Sequence, residues 1–168
     1  INDRQWYQDN QITLHAGKDK SVCKIDRGTN TVVSEDGTTA EYDRLLIATG
    51  SNPVVLPIPG CDLQGVISFR QIIDISTMLD YARTHKHAVV LGGGLLGLEA
   101  ANGLAMRGMD VTVVHSNAVL LNRQMDTQAG TLLQQALEKR NLKFKMPAKT
   151  QELVDDGNGH VKAVRFAD

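Results

Sequence analysis

Apolar and polar positions divide this chain into two regimes on either side of a proline-rich run. In the first, Ser21-Val-Cys-Lys-Ile25, Thr31-Val-Val33 and Thr38 to Asp43 alternate as half-buried strands do. Arg27-Gly-Thr-Asn30 and Asp36-Gly37 carry turn chemistry between them, so the pattern predicts a small antiparallel β-meander. Leu45-Leu-Ile-Ala48 follows as a continuous apolar run and predicts a buried strand. Pro53, Pro57 and Pro59 then exclude both a helix and a central strand, which marks a linker or a crossing between domains.

Beyond the prolines the period lengthens. Ile72, Ile73, Ile75, Met78, Leu79 and Ala82 recur at helical spacing and predict a helix from Phe69 to about Arg83. A strand over His87–Leu91, a helix over Leu98–Arg107 stopped by Gly108, and a strand over Val111–Val114 follow. Asp126 to about Arg140 reads as a second amphipathic helix, Leu142–Met146 as a third strand, and Glu152–Phe166 as a hairpin turning at Asp155–Gly159. The fold class is therefore α/β. Residues 57–168 form a Rossmann-like β-α-β-α-β unit with a terminal β-hairpin, and residues 1–56 form a separate segment holding the meander. Only half of a doubly wound sheet is present, so the chain reads as an internal stretch of a longer protein.

The candidate chemistry lies between the first strand and helix of that unit. Gly92-Gly93-Gly94-Leu95-Leu96-Gly97 has the G-x-G-x-x-G spacing of a dinucleotide phosphate loop, in the strand-to-helix context that gives the spacing meaning. Gly92 suits a tight turn and Gly94 suits close approach of a pyrophosphate. Gly97 suits close packing of helix on strand, Leu95 and Leu96 are the loop positions between the second and third glycines, and the N–H groups of the helix that follows face the phosphates. An acidic residue roughly 20 residues past the glycines would accept the ribose hydroxyls. His115 stands there instead, able to bond a ribose as neutral imidazole or to meet a 2′-phosphate as a cation, with Arg123 as a further phosphate partner. The choice between NADH and NADPH stays open on these residues.

Composition narrows the class. With 18 basic and 19 acidic residues the chain has no electrostatic bias toward nucleic acid or a membrane surface. It shows no apolar run of membrane-spanning length and no leader pattern, so a cytoplasmic protein is expected. Cys23 and Cys61 stand apart as small hydrophobes of a reduced protein. His85 and His87 are too poorly spaced for a metal pair, and no residue is read as catalytic or as a metal ligand.

Tyr42-Asp-Arg-Leu-Leu-Ile-Ala-Thr-Gly50-Ser-Asn-Pro53, followed by Gly92-x-Gly94-x-x-Gly97-x-Glu99, resembles the two-dinucleotide flavoprotein reductases, which include the pyridine nucleotide–disulfide oxidoreductases and the ferredoxin and rubredoxin reductases. His115 and Arg123-Gln-Met-Asp126 are most similar to the large subunits of assimilatory NAD(P)H nitrite reductases. The resemblance implies that residues 1–56 belong to an FAD domain, with Ala48, Thr49 and Gly50 on the flavin side. It implies that the rest binds NAD(P)H and that Glu99 touches the nicotinamide end, a position an ordinary first-turn glutamate would also occupy. It leans the cofactor choice to NADH. The implied activity is hydride transfer from NAD(P)H to FAD. In a nitrite reductase parent, sirohaem, an iron–sulfur cluster and a small partner subunit would lie outside this segment. The FAD pyrophosphate loop and the ribityl-binding Gly-Asp motif are absent from it, so the segment alone is expected to be inactive, and its unpaired strand edges and exposed apolar faces are expected to make it self-associate. A ferredoxin, rubredoxin or disulfide reductase is the neighbouring alternative, and a non-catalytic nucleotide-binding module the more distant one.

Overall fold

A computed structural model describes residues 2–167. The chain separates into two compact units, Ile1–Gly50 and Ser51–Asp168, dividing just ahead of the prolines.

In the first unit a short helix, α1 (Arg4–Asp9), is capped by Asp3, whose carboxylate accepts the Trp6 N–H at 2.9 Å. Three strands, β1 (Val22–Asp26), β2 (Thr31–Ser34) and β3 (Thr39–Glu41), form an antiparallel sheet in that order. Side chains define its turns. The Asp26 carboxylate accepts the N–H groups of Gly28 and Thr29, and that of Asp36 accepts the Ser34 hydroxyl and the Thr38 N–H. The Lys20 ammonium above all, with the Ser34 hydroxyl and the Thr38 N–H, holds Asp36 well below the usual carboxylate range.

Leu45–Ala48 is not a strand, contrary to the sequence expectation. Leu46 and Ile47 are 87% and 66% exposed. An apolar run becomes a strand only when a neighbour supplies its ladder of hydrogen bonds, and no described strand pairs with this one.

The second unit opens with α2 (Ile72–Thr84), whose start comes three residues later than the apolar period suggests. The Asp74 carboxylate accepts the backbone N–H groups of Arg70 and Gln71, both at 2.8 Å, and fixes the first turn there. Then come β4 (His87–Leu91), α3 (Leu95–Ala105), β5 (Asp110–Val114), α4 (Thr127–Glu138) and β6 (Lys143–Lys145). The three strands are parallel in the order β4-β5-β6. Central β5 carries the core: Val111 and Val113 are fully buried and pack with Leu98, Ala101 and Leu104 of α3, Leu137 of α4, and Leu120 and Leu142. The paired strands β7 (Lys149–Asp155) and β8 (Val161–Ala167) form the terminal antiparallel hairpin.

Both core helices end in the same way. After α3 the Met109 N–H bonds the Leu104 carbonyl and the Gly108 N–H bonds that of Ala105, with Gly108 at φ 85°. After α4 Leu142 and Asn141 make the equivalent bonds to Leu137 and Glu138, with Asn141 at φ 65°. These left-handed caps turn each helix directly into the next strand.

Candidate nucleotide-binding site

Parallel strands place their C-terminal ends side by side, and three segments meet there: the Gly92–Gly97 turn after β4, His115 after β5, and Lys145–Ala148 at the end of β6 and beyond it. The turn is pinned at its start, where the Gly92 N–H donates to the Val114 carbonyl at 2.8 Å. Helix α3 begins at Leu95, three residues ahead of the expected Leu98, with Gly94 as its N-cap. Gly97 therefore lies within the first helical turn rather than before it. The Leu98 N–H closes the first helical bond onto Gly94, and the N–H groups of Leu95, Leu96 and Gly97 have no backbone partner among the described residues.

The four glycines of this turn answer four different demands. Gly92 adopts φ 128°, a conformation that side chains disfavour. At Gly97 an added Cβ would collide with the Gly92 carbonyl oxygen. At Gly93 it would meet the imidazole Cγ of His115 at 2.8 Å and Leu120 Cδ2 at 2.7 Å. Gly94 has an ordinary extended backbone (φ −89°, ψ 179°), and a Cβ there would touch no protein atom within 4 Å. Its missing side chain thus leaves space beside the unpartnered N–H groups, which is what an anion needs to reach them.

His115 is built into this turn. Its backbone N–H donates to Lys145 at 3.1 Å and its carbonyl accepts from Ala148 at 2.8 Å. Its Nδ1 accepts the Gly93 N–H at 3.2 Å, and its Nε2 lies 3.4 Å from Asn122 Oδ1. The Gly93 carbonyl in turn accepts the Leu121 N–H at 3.0 Å. Gly93, Leu121 and Asn122 are the residues that the motif reading passes over. The run of three consecutive glycines was the available signal, since the motif itself explains only the outer two.

Glu99 is exposed on α3 together with Leu95 and Leu96, while Leu98, Ala100 and Ala101 face the core. Arg123 is exposed in the turn before α4. In the first unit, Ala48, Thr49 and Gly50 are exposed coil, with Gly50 at φ 73°. At the opposite end of the parallel sheet from the glycines, the Lys143 ammonium donates to Asp110 at 2.7 Å and His87 lies at 3.5 Å. Lys143 above all, with His87, lowers the Asp110 carboxyl below its ordinary range against partial desolvation. Among the described residues no helix is long and apolar enough to cross a membrane.

Comparison with known proteins places this architecture. The family described as pyridine nucleotide-disulphide oxidoreductase matches residues 6–168. The NAD(P)H nitrite reductase of Bacillus subtilis (strain 168) is 46% identical over 168 residues, covering all of this chain and 20% of the relative. The large subunit of the NADH nitrite reductase of Escherichia coli (strain K12) is 37% identical over 163 residues, 97% of this chain and 19% of the relative. The chain thus spans about a fifth of the length of these relatives. Among solved structures, a ferredoxin reductase from Rhodopseudomonas palustris superposes with a TM-score of 0.90 at 23% identity, covering 99% of this chain and 40% of that one, which shows the shared fold. The chain belongs to the pyridine nucleotide-disulphide oxidoreductases, a family of flavin-dependent NAD(P)H oxidoreductases.

Proposed function

We propose that this chain is the nicotinamide-nucleotide module of a longer flavin-dependent NAD(P)H reductase, a nitrite reductase large subunit, with β4-α3-β5-α4-β6 serving as a Rossmann-like half-domain. The observation that carries the reading is the Gly92–Gly97 turn: unpartnered helix N–H groups beside a glycine whose missing side chain faces open space. Gly92, Gly94, Leu95, Leu96 and Gly97 would hold the pyrophosphate. Glu99, exposed one turn further along α3, would meet the nicotinamide end, and Arg123 the adenosine phosphate end. A bound reduced nicotinamide would supply the hydride that the flavin of such a reductase accepts. The chain's own contribution is to bind and orient the dinucleotide, which is where a cofactor enzyme's protein does its part.

NADH is the favoured nucleotide. The Escherichia coli relative is named for NADH, and no lysine or arginine ends β5 to meet a 2′-phosphate. Residues 1–56, with Ala48, Thr49 and Gly50, would contribute to the FAD domain. These three are exposed coil, and no step of the reaction is derived from them. Sirohaem, an iron–sulfur cluster and a small partner subunit would belong to the remainder of the protein.

The test replaces Gly94 in the longer, flavin-loaded reductase. Gly94→Val suits the existing backbone and its Cβ meets no protein atom within 4 Å, so stability should change by no more than about 1 kcal/mol, the scale of an N-cap substitution. The same side chain fills the space a pyrophosphate needs, so KM for NADH, read from flavin bleaching, should rise by more than about tenfold. A native KM would refute the assignment.

A further inference from the structure

We infer that His115 is a positioning residue, holding the glycine turn through a neutral imidazole and so setting nucleotide affinity without reading the nucleotide's ribose. The inference rests on the proposed function above, since it presumes that the turn binds the dinucleotide. Three observations carry it.

The first is the direction of the hydrogen bond. A backbone N–H can only donate, so His115 Nδ1, which takes the Gly93 N–H, carries a lone pair. The ring proton of the neutral imidazole then lies on Nε2, facing Asn122 Oδ1, which accepts it. Both ring nitrogens are committed within the protein. A ribose hydroxyl would have to displace one of these partners, and the 2′-phosphate of NADPH would meet no imidazolium.

The second is contact. Gly93 lies against the imidazole and Leu120 so closely that even a methyl group would not fit between them. Gly93 is buried, so its N–H has no access to water as a substitute acceptor. The third is anchorage. The His115 backbone is tied on one side to the last residue of β6 and on the other to the segment after it, and Leu121 holds the Gly93 carbonyl. The turn is therefore gripped at Gly93 from outside its own sequence, one residue ahead of the N-cap of α3.

The experiment compares His115→Leu, His115→Asn and Gly93→Ala in the longer, flavin-loaded reductase, with KM and kcat measured for NADH and for NADPH and ferricyanide as the final acceptor. His115→Leu strands a buried N–H, a loss that corresponds to about tenfold in affinity. Both KM values should rise together, their ratio should stay within about twofold, and kcat at saturation should hold. His115→Asn offers Oδ1 to the same N–H and should restore both KM values to within about threefold of native. Gly93→Ala presses on the ring from the other side and should raise both in parallel, which keeps the test open if His115→Leu does not fold.

A change of more than about fivefold in the NADH-to-NADPH ratio in His115→Leu would mean direct ribose recognition and overturn the inference. So would a His115→Asn variant as impaired as His115→Leu, or native KM values in Gly93→Ala. Gly94→Val, measured alongside, separates the two levels: if it too binds NADH normally, the turn is not the nucleotide site and the proposed function falls. If Gly94→Val fails to bind while the His115 variants are native, only the positioning role is lost.

Discussion

Helix α3 contains two glycines that place opposite demands on an added methyl group, and the pair makes an internally controlled experiment. At Gly103 a Cβ would meet no atom within 4 Å. Replacing it with alanine removes backbone freedom from the unfolded chain and should stabilise the unit by about 0.5–1 kcal/mol. At Gly97 the same change brings the same propensity gain, but the new Cβ meets the Gly92 carbonyl oxygen, a backbone atom that cannot rotate away. Overpacking of this kind costs about 1–3 kcal/mol. Gly97→Ala should therefore be less stable than Gly103→Ala by about 1–3 kcal/mol, the difference being the collision alone. Urea unfolding followed by far-ultraviolet circular dichroism measures it as a difference in midpoint at common slope. Since the helix can accommodate the methyl group only by drawing away from the turn, Gly97→Ala should also weaken NADH binding, whereas Gly103→Ala should not. Equal midpoints for the two variants would show that α3 does not rest on Gly92 and would refute the packing described for the turn.

Two further outcomes follow from named contacts. Asp126 caps α4 by accepting the Ala129 N–H at 2.8 Å, so Asp126→Ala should cost about 1 kcal/mol in urea titrations, and an unchanged midpoint would refute the cap. Asp110 has a lowered folded-state pKa through Lys143 and His87, so its contribution is present above the unfolded carboxylate value of about 3.9 and disappears as pH falls through the folded value. The stability gap between native protein and Asp110→Asn should accordingly be present at about pH 5 and close below about pH 3; a gap of the same size at about pH 2.5 as at about pH 5 would rule out the ion pair as its cause.

How far the sequence revealed this depends on whether the deciding contact was local. The run over residues 87–114 was legible because strand, glycines and second strand each declare themselves within a few residues. The start of α3 was not. Glycines argue against helix by propensity, yet Gly94 is its N-cap and Gly97 lies in its first turn, where packing against Gly92 outweighs the cost. Leu45–Ala48 misled for the converse reason: hydrophobicity expresses a demand for burial, while a strand requires a partner that no period can supply. Helix α1 is six residues long and buries none of them, so it left no apolar stripe to detect, only the cap at Asp3. In the candidate site the outer glycines followed from spacing. The middle one did not, since what forbids its side chain is His115, 22 residues further along the chain.

That long-range hydrogen bond bears on how such a module can be re-engineered or can diverge. The position after β5 is the natural first target for switching a dinucleotide site between phosphorylated and unphosphorylated ribose. Here its side chain also serves as an acceptor for Gly93, so an arginine or lysine installed at 115 would bring a donor against a donor. Selectivity is thereby separated from the residue that would ordinarily encode it. A redesign that keeps an acceptor at 115 and its Asn122 partner, and works through the exposed turn at Arg123, leaves the scaffold of the glycines intact, and the same constraint narrows the order in which substitutions can accumulate.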